Sequence, residues 1–166
     1  WCGGEGLDVT ATYLSTGDGV PRAFTFADRL RPGAAEAVAA IKAAGMKILL
    51  ISGDTEGAVA ALAGRLGLPE WVSGSLPAEK AARVAVLTAE GHRVLMVGDG
   101  LNDTAALAGA HVSISPASAL DAARVASDVV LLGQDMAPIG DALRISRQAT
   151  RRIRENFAIS AGYNVI

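Results

Sequence analysis

One cysteine, Cys2, occurs in 166 residues. An internal disulfide is therefore excluded, and the chain fits a reducing compartment. No second cysteine or histidine lies at ligand spacing from Cys2, which reads as an ordinary thiol near a chain end. Aromatic residues are scarce as well, with three Phe, two Trp and two Tyr. A core must then come from Ala, Val, Leu and Ile, a composition that suits helices lying close on a sheet. The formal net charge is only −2, so the basic footprint that nucleic acid requires is missing and no nucleic-acid partner is expected. No secretory pattern opens the chain. It starts at Trp1 and stops inside the apolar run Tyr163-Asn164-Val165-Ile166. Both ends read as cuts, and the expectation is a piece of something longer.

What the chain has in quantity is apolar residues, 51% of the total, enough for the core of one compact domain. Residues 9–27 predict a hairpin: β-prone Thr10 to Leu14, turn chemistry over Ser15 to Gly19, then Ala23 to Phe26. After Arg31-Pro32 the pattern changes to strands alternating with helices. Pro32 is expected to open a helix through Ala44 that Gly45 ends. Met46 to Ile51 is a continuous apolar strand of the kind buried in parallel sheets. Helices are expected over about 56–66, 78–90, 103–109 and 117–126, and strands at 94–97, 112–115 and 129–132. This alternation predicts an α/β fold, an open, mostly parallel sheet with helices on both faces.

Ligands of such sheets bind at the carboxyl ends of the strands. Past Met46–Ile51 comes Ser52-Gly53-Asp54, and past Val94–Val97 comes Gly98-Asp99-Gly100-Leu101-Asn102-Asp103. Lys80 stands at the start of the helix between them. A phosphoryl group in transfer spreads negative charge over its oxygens, and catalysis is mostly positioning and electrostatic stabilisation. Ser52 Oγ and the Gly53 N–H can donate to one oxygen, and Lys80 can neutralise another. Asp99 can hold Mg²⁺, Asp103 can hold it directly or through water, and Asn102 can donate its amide. Ser-Gly-Asp also occurs as a plain turn, and a helix lysine is commonly only solvated. The run at 98–103 is more specific: a structural turn needs one Asp or Asn, not three acidic or amide groups in five positions.

The order Ser52-Gly53-Asp54, Lys80, Gly98-Asp99-Gly100-Leu101-Asn102-Asp103 resembles the haloacid-dehalogenase-like phosphotransferases, and most closely the phosphorylation domain of P-type ATPases. The fold this implies is Rossmann-type and incomplete at its N-terminal strand. Asp28-Arg29-Leu30-Arg31-Pro32 is similar to the segment where those pumps return from the nucleotide-binding domain. On this reading 1–27 ends the nucleotide-binding domain, 28–150 is the phosphorylation domain, and 151–166 is a stalk and the start of a truncated transmembrane helix. The resemblance implies catalytic roles for Ser52, Gly53, Asp54, Lys80 and Asn102, cofactor contacts from Gly98, Gly100 and Asp28, and Mg²⁺ at Asp99 and Asp103. Mg²⁺ and ATP are the implied cofactors. One departure is Ser52, where the family usually has Thr; the hydroxyl is kept.

The family's nucleophile is the aspartate of Asp-Lys-Thr-Gly-Thr, which does not occur here. Asp8-Val9-Thr10-Ala11-Thr12 mimics its outline without the lysine and glycine, and no buried strand precedes it. The chain alone is therefore expected to have little ATPase activity.

From about Ala137 onward the pattern is one long helix or two joined ones, studded with Arg144, Arg147, Arg151, Arg152 and Arg154 and apolar from Phe157. Arginines before an apolar helix fit a cytoplasmic flank entering a bilayer, although ten residues cannot span one, which needs ~20. Asn156 followed by Tyr163-Asn164 is similar to copper(I)-transporting members of the family, in which the Tyr-Asn pair helps form the intramembrane metal site. Copper(I) prefers softer ligands than these, so any such ligands lie elsewhere. The implied parent is a heavy-metal, most readily copper(I), P-type ATPase of the bacterial inner membrane with this part facing the cytosol. Exposed Phe157–Ile166 is expected to promote self-association. Two other readings stand beside it: a stand-alone phosphatase of the same superfamily, and a non-catalytic module that binds Mg²⁺ through its acidic rim.

Overall fold

A computed structural model describes residues 11–16, 20–26, 29–99, 101–119 and 121–165. They form an α/β fold in two units. The first unit comprises Trp1–Leu30 and Ile48–Gln134, the second Arg31–Lys47 and Asp135–Ile166.

The first unit begins with β1 (Ala11–Leu14) and β2 (Arg22–Thr25), an antiparallel hairpin in which Thr12 faces Phe24. Next come β3 (Leu50–Ile51), α2 (Glu56–Leu66) and β4 (Trp71–Val72); the label α1 is kept for a helix of the second unit, Ala34–Ala43. β3 and β4 are parallel. The sequence led us to expect a strand over 46–51. Only Leu50 and Ile51 pair, because β4 offers only Trp71 and Val72 as partners. Gly67 ends α2 in the left-handed conformation, φ +60, which lets its N–H and that of Leu68 turn back to the last carbonyls.

Then follow α3 (Pro77–Ala89), β5 (Leu95–Val97), a 3-10 turn at Leu101–Asp103, α4 (Thr104–Gly109), β6 (Val112–Pro116), α5 (Asp121–Val125) and β7 (Val129–Leu131). β5, β6 and β7 make one parallel sheet in that order. The helix anticipated over 117–126 is shorter: residues after Pro116 first turn back, with the Ala119 N–H on the Pro116 carbonyl. Likewise the helix anticipated from 103 begins as a 3-10 turn. β6 has a neighbour on each side and its Ser113 to Pro116 are buried. β3 and β5 each pair on one side among the described residues, and their apolar side chains are only half-buried. Leu107, Ala119 and Ala123 form the core between α4 and α5, with Met96 of β5 packed on it. Val59 and Ala63 bury the inner face of α2, and Val84 that of α3.

The second unit pairs α1 with α6 (Pro138–Val165). Pro32 does not open α1. Gly33 intervenes at φ +71, a conformation that costs other residues, and a Cβ there would also strike the Asp135 carboxylate and Ala137. Farther along, Gly140 lets α6 approach α1, since a Cβ on it would lie 2.8 Å from Ala40 Cβ. Arg147 donates to the Ala44 carbonyl at the end of α1, 2.6 Å. The region from about 137 onward, readable in sequence as one helix or two, is a single helix of 28 residues. No helix among the described residues is long and apolar enough to cross a membrane.

Candidate phosphoryl and Mg²⁺ site

The site is built on α3 and the turn after β5. Pro77 takes the first position of α3, where a missing N–H costs nothing. The Glu79 carboxylate reaches back to accept the Leu76 N–H at 2.8 Å, which fixes the helix start. Lys80, one residue on, then points its amine at the Asp103 carboxylate. Nζ to Oδ1 is 2.8 Å, and each side chain is only 12% exposed. Asp103 is buried at the end of the 3-10 turn and closely backed by Gly98: a Cβ on that glycine would lie 2.9 Å from Asp103 Cβ and Oδ2.

Ser52-Gly53-Asp54 forms a tight turn at the carboxyl end of β3. Ser52 Oγ accepts the Asp54 N–H at 3.2 Å. Two backbone bonds tie this turn to the approach to α3: the Ser75 N–H to the Ser52 carbonyl and the Gly74 N–H to the Asp54 carbonyl, both 2.9 Å. Gly53 sits where a Cβ would be 3.3 Å from the Ser75 carbonyl. A bonded path thus runs from Ser52 through Ser75 to the start of α3, Lys80 and Asp103. Lys80 and Asp103 meet directly; Ser52 is joined to them through backbone.

Asp99 and Asn102 lie on the exposed face of the turn after β5. Asp28 and Gly100 fall outside the described residues, as does Asp8. Tyr163 and Asn164 belong to the other unit, near the end of α6; both are exposed, and Asn164 donates to the Ser160 carbonyl. Sequence reasoning missed β4, the Ser75 bridge and the Glu79 clamp. Glu79 alone carried a signal, three residues after Leu76 at a proline-marked helix start.

The oxygen donors fit Mg²⁺. This ion takes one or two protein carboxylates and fills its octahedron with phosphate and water, and Asp99 with Asp103 offer that number. No group of three or more His, Cys, Asp or Glu that could hold a metal ion is found among the described residues, so Asp99 and Asp103 would depend on phosphate and water for the rest of the ion's shell. The sequence pattern of haloacid dehalogenase-like hydrolases matches residues 5–111.

The chain belongs to this family.

Its relatives within the family are heavy-metal P-type ATPases and their kin. The haloacid dehalogenase-like chain is 42% identical over 164 residues to the nitrogen fixation protein FixI of Bradyrhizobium diazoefficiens, covering 98% of this chain and 22% of that protein. It is 36% identical over 157 residues to copper-transporting ATPase 1 of Mus musculus, covering 95% and 10%. A zinc-transporting PIB-type ATPase in its E2.Pi state superposes with a TM-score of 0.79 at 33% identity, over 87% of this chain and 24% of that one. The chain thus spans about a fifth of the length of the FixI relative.

Proposed function

We propose that the chain supplies the phosphoryl- and Mg²⁺-binding rim of an ATP-driven heavy-metal pump, with copper(I) as the favoured cargo. The observation that carries this reading is the Lys80–Asp103 ion pair, which unites two motifs 23 residues apart. In transfer, the Ser52 hydroxyl and the Gly53 N–H donate to one phosphoryl oxygen, Asn102 donates its amide to another, and Lys80 supplies positive charge at the rim. Asp54 holds the Ser52 turn in shape through its N–H. Gly98 leaves room for the Asp103 carboxylate, and Gly100 and Asp28 contribute to the ATP side. Mg²⁺ held by Asp99 and Asp103 would neutralise charge on the phosphoryl oxygens.

The nucleophilic aspartate would come from a strand outside residues 1–166, since Asp-Lys-Thr-Gly-Thr is absent here. Among the described residues β3 and β5 pair on one side only, which supports a further strand beside them. Tyr163 and Asn164 would contribute to the path of the transported ion, with the pump in the bacterial inner membrane and the rim in the cytosol. In lipid-free solution, the exposed end of α6 favours self-association.

The test is Mg²⁺ titration of the purified chain by calorimetry, with p-nitrophenyl phosphate hydrolysis alongside. The expected result is Mg²⁺ binding that Asp99→Asn and Asp103→Asn each weaken at least about tenfold, and no phosphate release. Turnover abolished by Asp8→Asn would make the chain a stand-alone phosphatase instead.

A further inference from the structure

A short stretch of chain joins the hydroxyl side of the rim to the amine side. Residues 74–79 run from beyond β4 into the first turn of α3, and among them only Ser75 is buried. Leu76 is 63% exposed. Apolar burial therefore does little to hold the stretch in place, and its backbone bonds must do so.

At one end, the consecutive amides of Gly74 and Ser75 donate to the Asp54 and Ser52 carbonyls. Gly74 does this at φ +62. A Cβ there would meet nothing within 4 Å, so conformation and not space calls for glycine. Ser52 Oγ accepts the Asp54 N–H and keeps its own O–H for donation. At the other end, Leu76 occupies the cap of α3, where an apolar side chain cannot accept a helix N–H. Its backbone is gripped instead. The Leu76 N–H goes to the Glu79 carboxylate at 2.8 Å, and the Leu76 carbonyl takes the Glu79 and Lys80 N–H groups at 3.0 and 3.1 Å. Glu79 thus supplies half of a reciprocal cap for which Leu76 has no second half. Between the two ends, Pro77 fixes its own φ and keeps Leu76 extended, at φ −73 and ψ 158.

We propose that residues 74–79 form a positioning strap that sets the Ser52 hydroxyl and the Lys80 amine at one separation, with Gly74 and Glu79 as its positioning residues. Gly74 acts through the Ser52-Gly53-Asp54 turn, and Glu79 acts through Leu76 and the start of α3. The gain is preorganisation. A hydroxyl and an amine aimed at two oxygens of one phosphoryl group work together only if their spacing is set before the group arrives. The strap is stiff and mostly solvated, so a bond loosened at one end has no packed neighbour to absorb it and is felt at the other. This rests on the phosphoryl site proposed above.

The experiment reads each end of the strap from the other, in the full chain. The lysines are Lys42, Lys47 and Lys80. Lys42 and Lys47 are exposed, whereas Lys80 is paired with Asp103 and 12% exposed. In the nitrogen-15-labelled chain, the Lys80 ammonium should give a slowly exchanging magnetic resonance signal that Asp103→Asn removes. Gly74→Val, at the Ser52 end, should speed exchange of that ammonium at least about fivefold, and Gly74→Asn, which accepts the left-handed conformation, should restore most of it. Glu79→Ala, at the Lys80 end, should speed exchange of the Ser75 amide about fivefold, and Glu79→Gln, which keeps an acceptor oxygen, should not. Val84→Ala weakens α3 from its buried face and should leave the ammonium signal in place. With Mg²⁺ present, inorganic phosphate should bind about tenfold more weakly to Gly74→Val and Glu79→Ala, and as in the wild type to Glu79→Gln and Val84→Ala.

An unmoved ammonium signal in Gly74→Val, or an unmoved Ser75 amide in Glu79→Ala, would overturn the proposal, because the two ends would then act apart. Loss of the ammonium signal in Val84→Ala would overturn it too, by making helix stability the whole cause. Gly74→Ala repeats the first arm if Gly74→Val does not fold. Should no chain bind phosphate, the site proposed above fails, while the strap is still decided by the ammonium and the Ser75 amide.

Discussion

Lys80 Nζ and Asp103 Oδ1 stand 2.8 Å apart although 23 residues separate them in the chain. Neither side chain is more than 12% exposed, so removing one partner leaves the other charge poorly solvated. Lys80→Met and Asp103→Asn should each destabilise the chain, and a double-mutant cycle should give a coupling of about 1–3 kcal/mol in urea unfolding. Additive effects would mean that the pair is incidental to the fold.

Gly98→Ala tests the backing of the same carboxylate. The added Cβ would lie 2.9 Å from Asp103 Cβ and Oδ2, so the turn must shift. A loss of about 1–3 kcal/mol is expected, together with weaker Mg²⁺ binding in calorimetry. Full retention of both would show that the turn yields freely.

A second acidic contact lies across the sheet. The Asp128 carboxylate accepts both the Ser113 hydroxyl and the Ser113 N–H at 2.8 Å. The hydroxyl bond first, and then the backbone bond, hold its pKa below the ordinary aspartate value. A depressed carboxyl pKa contributes stability above the unfolded-state value, and this is lost as pH falls through the folded-state value. Ser113→Ala should therefore move the onset of acid unfolding to higher pH, measured by circular dichroism between pH 2 and pH 5. An unchanged acid limb would contradict the assignment.

Ser115, two residues along the same strand, is the opposite case. Its hydroxyl is fully buried with no partner among the described residues. An unsatisfied buried hydroxyl is costly, so Ser115→Ala should be neutral or stabilising by about 1 kcal/mol. A clear fall in thermal midpoint would point to a bound water or partner at that hydroxyl.

Hydrogen exchange should distinguish the two edges of β3 and β5. The N–H groups of Leu50, Ser52 and Gly98 bond to Glu70, Val72 and Ile114. By strand alternation the amides of Ile51 and Val97 face the other way. Exchange at Ile51 and Val97 should outpace that at Leu50, Ser52 and Gly98 by at least about tenfold. Comparable protection would reveal a partner on those edges.

Much of the site was legible because its residues are crowded in sequence. Gly98 to Asp103 announces itself after an apolar strand, and Pro77 marks the helix that presents Lys80. The parallel strands showed as apolar runs, and Gly67 and Gly45 marked the ends of helices. What stayed hidden depends on residues far apart. Trp71-Val72 is too short for periodicity and is a strand only because β3 lies beside it. The partnership of Ser113 with Asp128 arises from neighbouring strands in a three-stranded sheet. The start of α1 was displaced by a glycine conformation that no pattern of apolar residues records. Pro116 likewise shortened the helix expected after it, since the chain turns back on that residue before α5 can begin.

The half-paired strands also bear on handling. Among the described residues no strand covers the outer amides and carbonyls of β3 and β5, beside half-covered Ile51 and Val97, and such rows are templates that another molecule's backbone can copy. Precipitation of the concentrated chain would then begin at its sheet margins, and a lysine placed there would improve solubility more than one placed on the outer face of α2.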